Sequence, residues 1–145
     1  MNQDLNNSHV GFFLYSPEDK KVLIHKRDDE TNDSPNKWDY FGGSIEPIDQ
    51  GKVEEALIRE TYEELGIRID KKGLKLLSEK DNMYYIIFPK YVRELKLGEG
   101  AGLAWFSFDE ALSLYDKDET KSLITSGVSG AYGYLKKLKN KVEKL

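Results

Sequence analysis

The sequence predicts an α/β (α+β) fold in which a mixed β-sheet is sandwiched between helices. Three observations lead there. Short apolar and aromatic runs, each bounded by turn residues, lie both before and after one central helical segment, so strands flank a helix in chain order. The chain has 145 residues, a length that suits one domain and lets it bury about 68–70% of its unfolded surface. No internal repeat, low-complexity tract or linker divides it, so residues 1–145 are read as a single domain.

Each element follows from local chemistry. His9 to Tyr15 is an apolar, aromatic strand. Ser16-Pro17-Glu18-Asp19-Lys20 is a turn, and Lys21 to His25 returns as a second strand, which makes a hairpin. Arg27 to Lys37 is a polar loop holding Pro35 and Asn36. Trp38 to Phe41 is a short strand that enters the turn Gly42-Gly43. The central helix runs from about Lys52 to Leu65, with Asp49 or Gln50 near its N-cap and Gly66 just past its end. Lys75 to Glu79 and Met83 to Arg93 are strands around Lys80-Asp81-Asn82, and Pro89 marks an edge, bulge or bend in the second. Leu103 to Phe106 is a further strand. Phe108 to Tyr115 is a short helix with Ser107 as its cap. Gly130 to Leu145 is a lysine-rich surface helix.

The central helix carries the chemistry. At about 100° per residue, Glu60, Glu63 and Glu64 fall within one sector roughly 100° wide. Like charges that close destabilise an isolated helix, so the trio calls for a compensating cation. Carboxylate oxygens are the hard ligands that Mg²⁺ and Mn²⁺ prefer. Leu57, Ile58, Thr61, Tyr62 and Leu65 form an apolar flank beside that sector, so one face packs on a sheet while its edge looks into a cleft. Arg59 stands four residues before Glu63 and next to Glu60, where its guanidinium fork can hold a carboxylate. Gly42 and Gly43 form a turn, as most such pairs do, whose backbone N–H groups have no Cβ in the way of a close approach.

Together these residues resemble the Nudix hydrolase family. Its signature is Gly, five residues, Glu, seven residues, Arg-Glu, an aliphatic residue, any residue, Glu-Glu, any residue, Gly, an aliphatic residue. Arg59-Glu60-Thr61-Tyr62-Glu63-Glu64-Leu65-Gly66-Ile67 matches its second half, with Thr61 in the aliphatic slot, and Gly43 matches its opening glycine. The loop between is two residues longer than the pattern, and Gly51 stands where the pattern has its first Glu. Asp49 is the nearest acid and the candidate for that role. Weaker similarities cover Val22 to Arg27, Trp38 to Gly43 and Glu99 to Ser107.

The resemblance implies a Nudix-like fold and a Mg²⁺- or Mn²⁺-dependent hydrolase that cleaves the diphosphate linkage of a nucleoside diphosphate joined to another moiety. Glu60, Glu63 and Glu64 are the expected metal ligands. Arg59 orients them, and either Glu60 or Glu99 is the general base. Gly42, Gly43, Arg27 and Trp38 are the expected substrate contacts, although the bland alternatives, core packing for Trp38 and solvation for Arg27, stand beside them. His9 and His25 are weaker candidates for substrate contact. The alternative function is a nucleotide-binding sensor with a degenerate box, which Gly51 favours and the intact glutamate trio opposes.

Composition narrows the classes. There is no cysteine, which excludes disulfides, thiolate metal sites and a cysteine nucleophile, and which disfavours an isoprenoid-diphosphate isomerase. A formal charge of −4 argues against binding DNA. No apolar run approaches a membrane span, and Met1 to Asn7 is polar, so the expected location is the cytoplasm. The expected partner is a small-molecule nucleotide substrate, with no DNA and no membrane, and the sequence is compatible with a homodimer.

Overall fold

The computed structural model describes residues 8–28, 35–88 and 102–144. In chain order the elements are β1 (His9–Ser16), β2 (Lys21–Lys26), β3 (Trp38–Asp39), β4 (Phe41–Ser44), α1 (Val53–Leu65), β5 (Leu74–Ser78), β6 (Met83–Ile87), β7 (Gly102–Ser107), α2 (Phe108–Leu112) and α3 (Ala131–Glu143). Short 3₁₀ turns at Pro47–Asp49 and Lys71–Gly73 precede α1 and β5. The strands form one mixed sheet. β1 pairs parallel with β6, and every other pairing is antiparallel. This is the sandwiched, Nudix-like α+β arrangement that the sequence predicts.

β1 is buried from Val10 to Ser16 because the sheet is covered on both faces. Its side chains alternate. Phe12 and Leu14 join Ala56, Leu57 and Leu65 of α1 in one apolar cluster. Phe13 and Tyr15 join Phe108 and Ala111 of α2 and Leu135 and Leu138 of α3 in the other. α3 is therefore more than a solvated lysine face. Tyr134, Leu135, Leu138 and Val142 are its buried stripe, and the lysines occupy the opposite side.

The hairpin forks. β1 and β2 pair only near the turn, over Leu14–Leu23, Tyr15–Val22 and Ser16–Lys21. Beyond that point β3 takes over as the partner of His25 and Lys26, and β4 takes over as the partner of β1 from His9 to Phe12. The strand expected over Trp38 to Phe41 is thus two strands broken at Tyr40, since each half serves a different neighbour. The fork places the ends of β1, β2 and β3 beside the glycines of β4.

Two local expectations are corrected. The N-cap of α1 is Lys52, with no side-chain cap, and not Asp49 or Gln50. The inserted residues close a 3₁₀ turn instead, in which Asp49 Oδ2 accepts from the Glu46 N–H at 2.8 Å. Gln50 and Gly51 then both take left-handed conformations, with φ of 54° and 74°, to turn the chain into α1. Tyr62 also falls outside the buried flank of α1, which continues to Leu65: it is 47% exposed and lies under the Arg68 guanidinium at 4.5 Å. At the far end, Gly66 closes α1 with φ 72°, and Ser107 caps α2 through the Glu110 N–H.

Candidate active site

Arg59 is the centre of the acidic cluster. Its Nε donates to Asp49 Oδ1 at 3.1 Å and its Nη2 to Asp49 Oδ2 at 2.9 Å. Nη2 also donates to the Ser44 carbonyl at 2.9 Å. Nη1 donates to Glu60 Oε2 and to Glu63 Oε1, each at 3.1 Å. One guanidinium therefore ties the glycine turn, the inserted turn and the helix carboxylates together. Charge complementarity raises the Arg59 pKa, chiefly through Asp49, and lowers that of Asp49 below the usual carboxylate range. Asp49 is 3% exposed and both of its oxygens are engaged, so it acts as the clamp on Arg59.

Glu60 is buried beneath the glycine turn. A Cβ added to Gly43 would collide with the Glu60 carboxylate, and one added to Gly42 would collide with the Val10 carbonyl. The missing Cβ of Gly43 thus lets the Glu60 carboxylate pack against the turn, and that of Gly42 lets the turn close on β1. Burial pushes the Glu60 pKa up, against the opposing pull of Arg59. Glu63 is exposed and Glu64 half-buried. Among the described residues no three His, Asp or Glu side chains form a ready metal cage. Glu60 and Glu63 share the Arg59 guanidinium as their counter-charge here. The donor set still fits a hard divalent cation: three carboxylates on one helix sector, beside a cradle that a Cβ would fill. Glu60, Glu63 and Glu64 are the residues that could hold it.

Across from α1, Glu64, Gly42 and Gly43 line a cavity of about 340 Å³ whose other wall includes His9, His25, Arg27 and Asp39. Arg27 Nη1 donates to Asp39 Oδ2 at 3.2 Å. Asp39 Oδ1 accepts from the Tyr40 N–H at 2.9 Å and from Thr125 Oγ1 at 2.8 Å. Burial pushes the Asp39 pKa up, while these three donors and nearby His25 favour its charged form. His25 stacks on Phe41 with ring centroids 4.9 Å apart, and its Nε2 lies 3.1 Å from the Tyr40 carbonyl. A carbonyl can only accept, so Nε2 carries the proton. Burial lowers the His25 pKa, offset in part by Asp39.

The expected substrate contacts divide. Arg27, Gly42 and Gly43 line the cavity together. Trp38 points the other way from its neighbour Asp39, and its ring meets Phe106 edge-on at 4.9 Å, beside the core cluster of α2 and α3. Glu99 lies outside the described residues. Asp39 and Thr125 carried no sequence signal, because their roles depend on which segments pair. A second cavity of about 370 Å³ lies near the hairpin turn between Ser16, Asp19 and Phe88, away from the acidic helix.

A forked mixed sheet whose glycine turn rests on an acidic helix defines a Nudix-type fold. The NUDIX domain family matches residues 5–126, and the chain belongs to that family. It is an enzyme of the Nudix pyrophosphohydrolase type. Among solved structures it is similar to a MutT protein from Methanosarcina mazei Go1, with a TM-score of 0.60 and 20% identity over 93% of this chain and 94% of that one. It is similar also to a C. elegans Ap4A hydrolase, with a TM-score of 0.59 and 18% identity over 94% and 99% of the two chains. A MutT/nudix family protein from Enterococcus faecalis matches with a TM-score of 0.53 and 23% identity over 68% of this chain, which covers 42% of that longer protein. At these identities the likeness speaks for the fold. No curated protein matches the chain at a significant level. No helix among the described residues is long and apolar enough to cross a membrane.

Proposed function

We propose that the chain hydrolyses the diphosphate linkage of a nucleoside diphosphate joined to another moiety, with Mg²⁺ or Mn²⁺ held by Glu60, Glu63 and Glu64. The observation that carries this reading is the Gly42-Gly43 turn. Gly43 seats the Glu60 carboxylate against the turn, and both glycines share a cavity with Glu64 and Arg27. A divalent cation bound by those carboxylates supplies charge neutralisation at phosphate oxygens and acidifies water.

The chain's own groups do the rest. Arg27 offers its guanidinium to a phosphate on the far wall of the cavity. Gly42 and Gly43 let the diphosphate approach the backbone closely. Arg59 sets the orientation of Glu60 and Glu63, and Asp49 sets the orientation of Arg59. A carboxylate takes the proton from the attacking water, and Glu60 and Glu99 are the two candidates. Glu99→Gln separates them: if Glu99 is the base, kcat falls by roughly 10²–10⁴ and the loss shrinks as pH rises. Wild-type kcat at every pH returns the base role to Glu60 or to the metal alone.

Gly51 was the feature that favoured a nucleotide sensor without activity. Its left-handed φ suits glycine, and with both Asp49 oxygens on Arg59 the turn supplies no second acid in its place, so the reading against a sensor rests on the intact Glu60, Glu63 and Glu64. The deciding experiment is product release from a panel of GTP, UDP-glucose, ADP-ribose and diadenosine tetraphosphate, with and without Mg²⁺. Metal-dependent cleavage of a diphosphate compound is expected. Tight binding of a panel member with no turnover would restore the sensor.

A further inference from the structure

Three consecutive residues at the fork, Trp38 to Tyr40, are each fastened to the segment that leads into α3. The Trp38 N–H donates to the Leu123 carbonyl at 2.9 Å, and the Thr125 N–H donates to the Trp38 carbonyl at 3.0 Å, so residue 124 lies beside β3 like one rung of a parallel strand. Asp39 Oδ1 receives the Thr125 hydroxyl at 2.8 Å. The Tyr40 hydroxyl donates to the Ser129 carbonyl at 3.0 Å. Thr125 is the pivot, because its hydroxyl also accepts from the Ala131 N–H, in the first turn of α3, at 2.9 Å. The hydroxyl's own proton goes to Asp39 Oδ1, because an ionised carboxylate only accepts. The Asp39 carboxylate is thereby fixed on one oxygen by Thr125 and the Tyr40 N–H, and presents the other to Arg27.

We infer that Thr125 is a positioning residue for phosphate recognition: its hydroxyl fixes the Asp39 carboxylate, and Asp39 in turn holds the Arg27 guanidinium at the wall of the cavity. The inference rests on the reading of that cavity as the phosphate-binding site. It extends the functional unit beyond the helix and the glycine turn, to the start of a helix on the opposite side of the sheet. Thr125 touches no substrate in this scheme and acts only through Asp39. Removal of its hydroxyl leaves that Asp39 oxygen with the Tyr40 N–H alone and weakens the hold of Asp39 on Arg27.

The test is the calorimetric affinity for inorganic pyrophosphate in the presence of Mg²⁺, with melting curves as the check on folding. Thr125→Val should bind about tenfold more weakly, the size of effect expected for loss of one hydrogen bond to a charged group. Thr125→Ser keeps the hydroxyl and should bind like the wild type. Ser122→Ala loosens the same segment without touching Asp39, since the Ser122 hydroxyl bonds only within it, to Ile124. It should lower the melting temperature and leave affinity unchanged. Wild-type affinity in Thr125→Val overturns the proposal, and so does an equal loss in Ser122→Ala. If Thr125→Val does not fold, Asp39→Asn carries the test. It should weaken binding even though it removes a negative charge, and unchanged or tighter binding overturns the proposal. A wild-type protein that binds no pyrophosphate, or an Arg27→Gln protein that binds it normally, would instead overturn the reading of the cavity.

Discussion

Arg59 grips Asp49 through two parallel hydrogen bonds, Nε to Oδ1 and Nη2 to Oδ2, at 3.1 and 2.9 Å. The acid supplied by the inserted turn is therefore spent on the box arginine. Asp49→Asn should cost about 2–3 kcal/mol of stability, since it breaks a charged pair whose acid is buried. Glu54→Gln, on the exposed flank of α1, should stay within about 0.5 kcal/mol of wild type. The pairing holds the folded Asp49 pKa below its ordinary value, so its stabilisation is present above about pH 4 and is lost as pH falls below that. Urea unfolding from neutral to acid pH checks both statements. Equal stabilities for the two variants would remove Asp49 from the clamp.

Gly43 and Gly51 should answer differently to alanine. At Gly43 the new methyl meets the Glu60 carboxylate, so Gly43→Ala should cut kcat/KM by about 10²-fold through displaced site groups. At Gly51 nothing lies within 4 Å, and only the left-handed backbone is strained. Gly51→Ala should cost about 1–2 kcal/mol and keep its activity. Steady-state kinetics beside thermal melts separates the two, and matching activity losses would place Gly51 in the site.

Metal dependence is the third expectation. Activity should vanish with EDTA and return with Mg²⁺ or Mn²⁺. Glu63→Gln and Glu64→Gln should each weaken Mn²⁺ binding, followed by calorimetry, by at least roughly 10–100-fold. The Glu63 side chain is 55% exposed, so its pair with Arg59 adds little, and the melting temperature of the metal-free Glu63→Gln variant should hardly move. Undiminished Mn²⁺ affinity in both variants would refute the helix carboxylates as ligands.

His25 gives a pH dependence with a definite sign. Burial lowers its folded pKa, so just below about pH 6.5 the unfolded chain binds more protons than the folded one. Its contribution to stability is complete above that value and declines as pH drops through the window beneath it. His25→Gln should flatten the unfolding free energy between about pH 7.5 and pH 5. An identical slope in wild type and variant would show that other groups set it.

The hairpin, the box helix and the caps at Ser107 and Gly66 were legible because each rests on neighbours in sequence. The break at Tyr40 was not, because it reflects a change of partner from β2 to β1 that no local propensity encodes. The inserted turn was visible as a spacing defect, yet its shape depends on an ion pair across ten positions, from Asp49 to Arg59. The helix carboxylates could be read from 3.6-residue periodicity. On the opposite wall Arg27, His9 and His25 could be named from the sequence, but Asp39 could not, since its place depends on Thr125 across 86 positions. For Trp38 the sequence offers both core packing and a substrate contact, and strand alternation turns its ring toward Phe106, as core packing requires.

The fork in the sheet bears on how such a protein can change. His9 opens β1, Arg27 directly follows β2 and Asp39 closes β3, so much of the cavity wall is built at strand ends. A replacement at a ladder's end disturbs few backbone bonds and shifts no register. The acidic helix and the glycine turn, by contrast, are locked by close packing and one shared guanidinium. His9 and Arg27, at strand ends, are thus the wall positions whose replacement disturbs the scaffold least, whereas Asp39 is tied through Thr125 to the start of α3 and cannot change alone.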